Sequence, residues 1–451
     1  MTLTDFVLSD YGNASSTPSP VNQMMAAFAA DFRPDKDINL GVGYVNERTI
    51  PHDRIEEALH AVLAAPEKYK VPLNYGGSQG SQNLIESIER FHVEHGIGGL
   101  TQEIVARNEI IIGPNGATSI LEGIAQVLQP GIVITSDPMY YIYCHFLERQ
   151  GFDVVTVPED ENGIRIDILR EKLDALGPRR TELAFFYVVT INNPTSTILS
   201  NARRAELVRI VTDVSVEQGR KIPLFFDKAY ESLVHDPAVP PLESGFLYDT
   251  AGLVYEIGTL SKILAPALRI GYMMGNDGPF LQALIQKTSD VGFSAPLITQ
   301  EIASYLLDHH VQGQIAAVNQ GYRQKARAVK GWIDECLGDG IVACSGGKAG
   351  FYFYLTFDDI QTTEDSAFFK YLSRTTGDVA IDGPEEDKNP RVIYVPGEFC
   401  VHPRGDLVEV GKRQLRLSYG FEELDRIHEA IRVMREAAAY ARRKSQVFTP
   451  L

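Results

Sequence analysis

The stretch TLSKILAPALRIGY, residues 259–272, sets a lysine, Lys262, and an arginine, Arg269, seven residues apart in apolar surroundings. A surface helix would flank such charges with others. Here the lysine follows one apolar run, LVYEIGT (253–259), and the arginine opens the next, RIGYMMG (269–275). An amine at the end of a buried strand is a candidate Schiff-base nucleophile. It could equally be a lysine snorkelling to the surface.

Working outward, five further runs share this character: EIIIG (109–113), GIVITSD (131–137), FDVVTVP (152–158), LAFFYVV (183–189) and IPLFFD (222–227). They are apolar throughout rather than alternating, as strands covered on both faces should be. Helical patterns such as SILEGIAQVLQ (119–129) and ARRAELVRIVTDVSVEQ (202–218) lie between runs. The alternation predicts an α/β fold: a mostly parallel seven-stranded sheet sandwiched by helices.

The last 150 or so residues differ. A helical pattern covers 297–337, with a break expected near Gly313. GFYFYLTF (350–357), a polar loop GPEEDKNP (383–390), QLRLSYG (414–420) and an amphipathic helix follow, a pattern that predicts a smaller α+β domain. The start, rich in Ser, Pro and Asn up to Pro20, reads as an extended arm. The division expected is an arm and segment over 1–45, a large domain over 46–304 and a small domain over 305–451.

Forty-two basic against 59 acidic residues give a formal charge of −17, a surface that repels phosphate backbones and disfavours nucleic acid as a partner. Cys144, Cys336, Cys344 and Cys400 show no CxxC spacing and suggest neither a disulfide scaffold nor a metal site. The first residues lack a basic and apolar leader, and no apolar run approaches a membrane span. A cytoplasmic protein is the expectation.

Ligands of open α/β sheets bind at the carboxyl ends of the strands, so the residues after each run matter most. EIIIG is followed by PNGATS at a helix start, which offers free backbone N–H groups to an anion, or simply an N-cap. LAFFYVV is followed by TINNPTS, which taken singly is a turn. IPLFFD ends on Asp227, a carboxylate that wants a cationic partner, with Lys228 and Tyr230 behind it. Four segments thus bring polar groups to one sheet edge, which ordinary caps and turns do not explain together.

In combination these residues resemble the fold-type I pyridoxal-phosphate enzymes, specifically the class I/II aminotransferases related to aspartate aminotransferase, over roughly residues 38–435. TLSKILAPALRIGY is similar to the family's lysine segment, with the spacing of the 2-aminoadipate and aromatic aminotransferase branch. FDKAYESL, NNPTS, NYGGSQGSQNL, DPMYYIY and LRLSYG resemble further family motifs in the family's order. The resemblance implies pyridoxal 5′-phosphate as cofactor, joined to Lys262 as an internal aldimine, with the freed amine moving the proton. It implies Asp227 on the pyridine nitrogen, Asn193 and Tyr230 on the phenolic oxygen, and Tyr140 stacked on the ring. It implies phosphate held by Gly116, Ala117, Thr118, Thr259, Ser261 and Arg269, and by Tyr75 from a second subunit, hence a homodimer. Arg416, with Gly43 and Asn193 nearby, would take the substrate carboxylate.

Two positions depart from the pattern: Ser196 stands where a glycine is usual, and Ile85 where an arginine is usual. LGVGYVNERTIP also sits closer to the aspartate aminotransferase branch than the lysine segment does. The expected reaction is transfer of an amino group from an L-amino acid to a 2-oxo acid, by family habit 2-oxoglutarate. Another pyridoxal-phosphate reaction (lyase, decarboxylase, racemase or oxidase) would use the same residues. The sensor half of a transcription regulator would need a DNA-binding domain ahead of this fold, and the residues before 38 show no helix-turn-helix pattern. QKTSDVGFSAPLITQ (286–300) contains Lys287 but no arginine to grip a second carboxylate. With Tyr44, Tyr140, Tyr141 and Phe293 expected to line the pocket, neutral, aromatic or long-chain donors are expected over aspartate.

Overall fold

The computed structural model describes residues 6–447. The strands, in chain order, are β1 (Ile38–Asn39), β2 (Asn108–Ile112), β3 (Ile132–Asp137), β4 (Asp153–Asp160), β5 (Gly163–Ile164), β6 (Leu183–Val189), β7 (Leu224–Asp227), β8 (Val254–Thr259), β9 (Gly271–Asn276), β10 (Ile341–Gly346), β11 (Tyr352–Phe357), β12 (Val392–Ile393), β13 (Val395–Pro396) and β14 (Gln414–Ser418).

All seven apolar runs are strands of one sheet, ordered β2-β9-β8-β7-β6-β3-β4-β5. The eighth member, β5, is a two-residue return that pairs antiparallel with the end of β4. Pairing is parallel from β8 through β7, β6 and β3 to β4, while β9 runs antiparallel to both its neighbours. Phe185, Phe186, Phe225 and Phe226 are fully buried although consecutive side chains point to opposite faces, because helices cover both.

The reversed strand explains the seven-residue spacing. Thr259, the last residue of β8, faces Gly271, the first residue of β9. Lys262 and Arg269 are therefore the two ends of the loop that turns the chain around at the carboxyl edge.

The second sheet has the order β10-β11-β14-β13 and is antiparallel. The helices Val311–Leu337 and Leu424–Val447 pack together beside it, with Trp332 stacked on His428 at 4.4 Å. β1 pairs parallel with β12 in a separate two-stranded sheet, and β12 leads within two residues into β13 of the second sheet.

Two local expectations are corrected, and one loop gains a role. The break in 297–337 falls at His310, whose φ of −133° separates Leu297–His309 from Val311–Leu337, and Gly313 lies inside the second helix. The first twenty residues are not wholly extended. Asp10–Ser15 is a helix capped by Ser9, Pro20–Ala30 is one capped by Ser19, and each serine oxygen accepts a backbone N–H. The loop 383–390, unread in the sequence, clasps the N-terminal segment: the Lys388 and Asn389 carbonyls accept from Arg33, and Asp387 pairs with Lys36.

Candidate active site

Asp227 ends β7 as its last, fully sheet-paired residue, and only 5% of its surface is exposed. Its Oδ2 accepts the Tyr187 hydroxyl at 2.7 Å and its Oδ1 the Ala229 N–H at 3.0 Å. Burial raises its pKa, and the Tyr187 hydrogen bond only partly offsets that. No cation pairs with it among the described residues. The adjacent Lys228 faces away, its Nζ 2.7 Å from Glu256 and 3.2 Å from Glu231.

Lys262 stands at the same edge. Its Nζ donates to the Gly43 carbonyl oxygen at 3.0 Å and lies 5.7 Å from the centre of the Tyr230 ring. Burial lowers its pKa to about 8, assisted by the charges of Arg269 and Arg416. Near neutrality a useful fraction of such an amine is unprotonated and nucleophilic.

Below the lysine is an anion cradle. The helix Gly116–Val127 begins without a side-chain cap, so its first N–H groups, including those of Gly116, Ala117 and Thr118, are not claimed by a cap. Arg269, in the left-handed region at φ 55°, reaches back to this helix start: its Nε donates to Asn115 Oδ1 at 2.8 Å and its Nη2 to the Asn115 carbonyl at 3.0 Å. A Cβ on Gly116 would sit 2.9 Å from that guanidinium, and Gly116 itself has φ +68°, so a larger residue would be strained there and would push Arg269 aside. Thr259 Oγ1 lies 3.0 Å from Ser261 Oγ and donates to the Ile270 carbonyl, which holds both hydroxyls at the mouth of the loop.

Arg416, on β14, completes the cluster and is 2% exposed. Its Nη1 donates to Asn193 Oδ1 at 2.7 Å, its Nη2 donates to the Gly41 carbonyl, and its buried Nε has no hydrogen-bond partner. No carboxylate pairs with it among the described residues. Its guanidinium lies 4.5 Å over the Tyr352 ring and 6.0 Å from that of Tyr141. Tyr140 shares this environment, where burial first and then the Asp227 charge raise its pKa.

A buried carboxylate without a cation, a buried guanidinium without a carboxylate and an amine of lowered pKa thus stand together with an anion cradle. This donor set fits a group with a cationic ring nitrogen, a phosphate and an aldehyde. A cleft of about 770 Å³ at the opposite edge, lined by Gly131, Pro223 and Gly252, holds none of these residues, so chemistry rather than void size locates the site.

The sequence profile described as aminotransferase class I and II matches residues 35–386. The chain belongs to that family. This aminotransferase is thereby placed among pyridoxal-phosphate-dependent proteins, and amino-group transfer is the chemistry for which its aminotransferase relatives are named. It is 24% identical over 406 residues to aromatic-amino-acid aminotransferase 1 of Thermococcus litoralis, covering 88% of this chain and 87% of the relative. It is 23% identical to the uncharacterized HTH-type transcriptional regulator YisV of Bacillus subtilis, covering 89% of this chain and 73% of that one. The fold is that of the multiple substrate aminotransferase of Thermococcus profundus, with a TM-score of 0.80, 20% identity and 97% and 98% of the two chains covered.

Three residues expected at the pocket stand away from the cluster within this subunit: Tyr75 and Phe293 as an exposed pair, and Tyr44, which is exposed and leans on Phe421 at 6.0 Å. Tyr75 is 75% exposed and its ring leans on Phe293 at 5.4 Å. Lys287 faces the helix Gly116–Val127 and pairs with Glu122 at 3.3 Å. Asn193 lies in the cluster, but its carbonyl oxygen is engaged by Arg416. Sequence reasoning missed Tyr187 and Tyr352, which sit inside strands read only as apolar runs. Their hydroxyls had no signal beyond residue type.

Proposed function

We propose that this aminotransferase moves the amino group of a neutral, aromatic or long-chain L-amino acid to a 2-oxo acid, 2-oxoglutarate being the acceptor, as a cytoplasmic homodimer. The observation that carries the site assignment is the pair of uncompensated buried charges, Asp227 and Arg416, beside the Lys262 amine of lowered pKa. The three-part division at 45 and 304 belongs to the same proposal.

Bound here, pyridoxal phosphate supplies an aldehyde for an amine and a ring that takes up the electrons left at the substrate α-carbon. Lys262 Nζ would hold that aldehyde and, once freed by the incoming amino acid, would serve as the base that moves the substrate α-proton. Asp227 keeps the ring nitrogen protonated, and its raised pKa in an otherwise uncompensated pocket is the cost such a cation relieves. The helix start at Gly116–Thr118, with Thr259, Ser261 and Arg269, holds the phosphate. Arg416 fixes the α-carboxylate, leaning on Asn193 for orientation. Tyr75, exposed in its own subunit, reaches the partner's phosphate cradle.

The test is a half-reaction screen: the loaded protein is mixed with single amino acids and the visible band followed. Bleaching by neutral or aromatic donors with release of the 2-oxo acid supports the proposal. Release of CO2 or ammonia in place of a stoichiometric 2-oxo acid refutes it.

A further inference from the structure

Tyr352 is touched by four of the chain segments that build the site. Its hydroxyl lies 2.9 Å from that of Tyr230. Its ring supports the Arg416 guanidinium at 4.5 Å. Its hydroxyl crowds Gly43, where a Cβ would approach to 2.7 Å. Its backbone N–H donates to Ser196 Oγ at 3.3 Å. The residue itself is 1% exposed.

Ser196 is the position where this chain departs from the family's glycine. It holds φ +52°, which a serine adopts at a cost and a glycine would not. What the hydroxyl gains in return is the contact to Tyr352, across from the Asn193 turn to β11 of the smaller sheet.

We propose that Tyr352 is a positioning residue: its hydroxyl donates to Tyr230 and turns the Tyr230 proton toward the cofactor's phenolic oxygen, while its ring fixes Arg416, so that the carboxylate seat and the cofactor seat are held by one side chain. The inference rests on the cofactor assignment above. A hydroxyl that accepts one hydrogen bond becomes a better donor in the next. Tyr230 supported in this way stabilises a phenolate more strongly, and the cofactor chromophore gives up its proton at lower pH. Ser196 secures the strand that carries Tyr352 and has no part in this polarisation.

The experiment is a pH titration of the visible band of the loaded protein for wild type, Tyr352→Phe, Tyr230→Phe, the double variant and Ser196→Gly. Tyr352→Phe should move the midpoint up by about half a unit. It should add nothing in the Tyr230→Phe background, because it acts through that residue. Ser196→Gly should leave the midpoint in place and raise KM for the amino acid more than it lowers kcat. A Tyr352→Phe midpoint equal to wild type, or an equal shift in both backgrounds, overturns the proposal while leaving the aminotransferase assignment standing. A wild type that binds no pyridoxal phosphate, or binds it on another lysine, overturns both.

Discussion

Asp227 and Lys228 are neighbours in sequence and strangers in the structure. Asp227 accepts from Tyr187 on the site side, while Lys228 Nζ sits 2.7 Å from Glu256 Oε2 on the other. Strand alternation separates them, and the carboxylate stays free for a cation from outside the chain. Despite burial, Glu231 and Glu256 hold Lys228 charged, and Arg204 adds a second cation to Glu231.

Lys228→Met should therefore destabilise the protein by roughly 3 kcal/mol, the order expected when one partner of a buried pair is removed. The pKa of Lys228 is raised, so this contribution is complete below about 10.5 and constant near pH 7. Denaturant midpoints of the variant and of Lys228→Met/Glu256→Gln measure it. The double variant should recover part of the loss.

Lys262 gives the opposite sign. Its pKa falls from 10.5 to about 8, so its contribution favours folding above about 10.5 and is lost as pH falls through about 8. Near pH 7 the cofactor-free protein carries a cost on the order of 3 kcal/mol. Lys262→Met should raise the thermal midpoint of the cofactor-free protein at pH 7 and lose that advantage toward pH 10. A pH-independent difference would show that burial of the amine is not what shifts it. In the loaded protein, borohydride should fix the cofactor on Lys262, and Lys262→Ala should lose turnover by several orders of magnitude.

Asp137, fully buried at the end of β3, has its pKa pushed up to about 6 by burial, against hydrogen bonds from the His402 N–H and Thr156 Oγ1. Its stabilising contribution is complete below about 3.9 and lost as pH rises through about 6. The stability difference between wild type and Asp137→Asn should shift in favour of the variant across that window and be flat above it. Paired thermal scans from pH 4 to 8 read this.

A second substrate carboxylate would need another arginine, and the exposed arginines Arg48 and Arg404 both already have acidic neighbours, Glu423 for the first and Glu148 and Asp153 for the second. Phenylalanine, leucine and 2-aminoadipate should thus outpace aspartate in single-turnover rates. Aspartate faster by more than about tenfold, or roughly 1.4 kcal/mol in transition-state binding, would place a second carboxylate seat in the pocket.

Subunits carrying Lys262→Ala and Tyr75→Ala should each be impaired alone and recover activity when co-expressed. In a mixed dimer one site has both its own lysine and the other subunit's tyrosine. Absence of recovery, or a fully active monomer in sedimentation, would place Tyr75 outside the partner's site.

The runs ending at Asp227, Thr259 and Val189 announced buried strands by composition alone, because a strand covered on both faces has no polar side to show. Their end positions then put Asp227, Lys262, Arg269 and the Asn193 turn on one edge. The chain could be assigned its fold, its family and these candidate residues from sequence. Its helix breaks were less legible: Ser9 and Ser19 cap helices inside a stretch whose composition suggests an arm, and His310 rather than Gly313 interrupts the long helix. Pairing across distant segments was not legible at all. Tyr187 meets Asp227 over a separation of 40 residues, Tyr230 meets Tyr352 over 122, and Arg416 meets Asn193 over 223. Composition and spacing report what a residue is and which face it takes, whereas a hydrogen bond between remote strands depends on sheet order and the packing of one sheet unit on another. That Lys228 turns to Glu231 and Glu256 and leaves Asp227 without a cation among the described residues was decided only there.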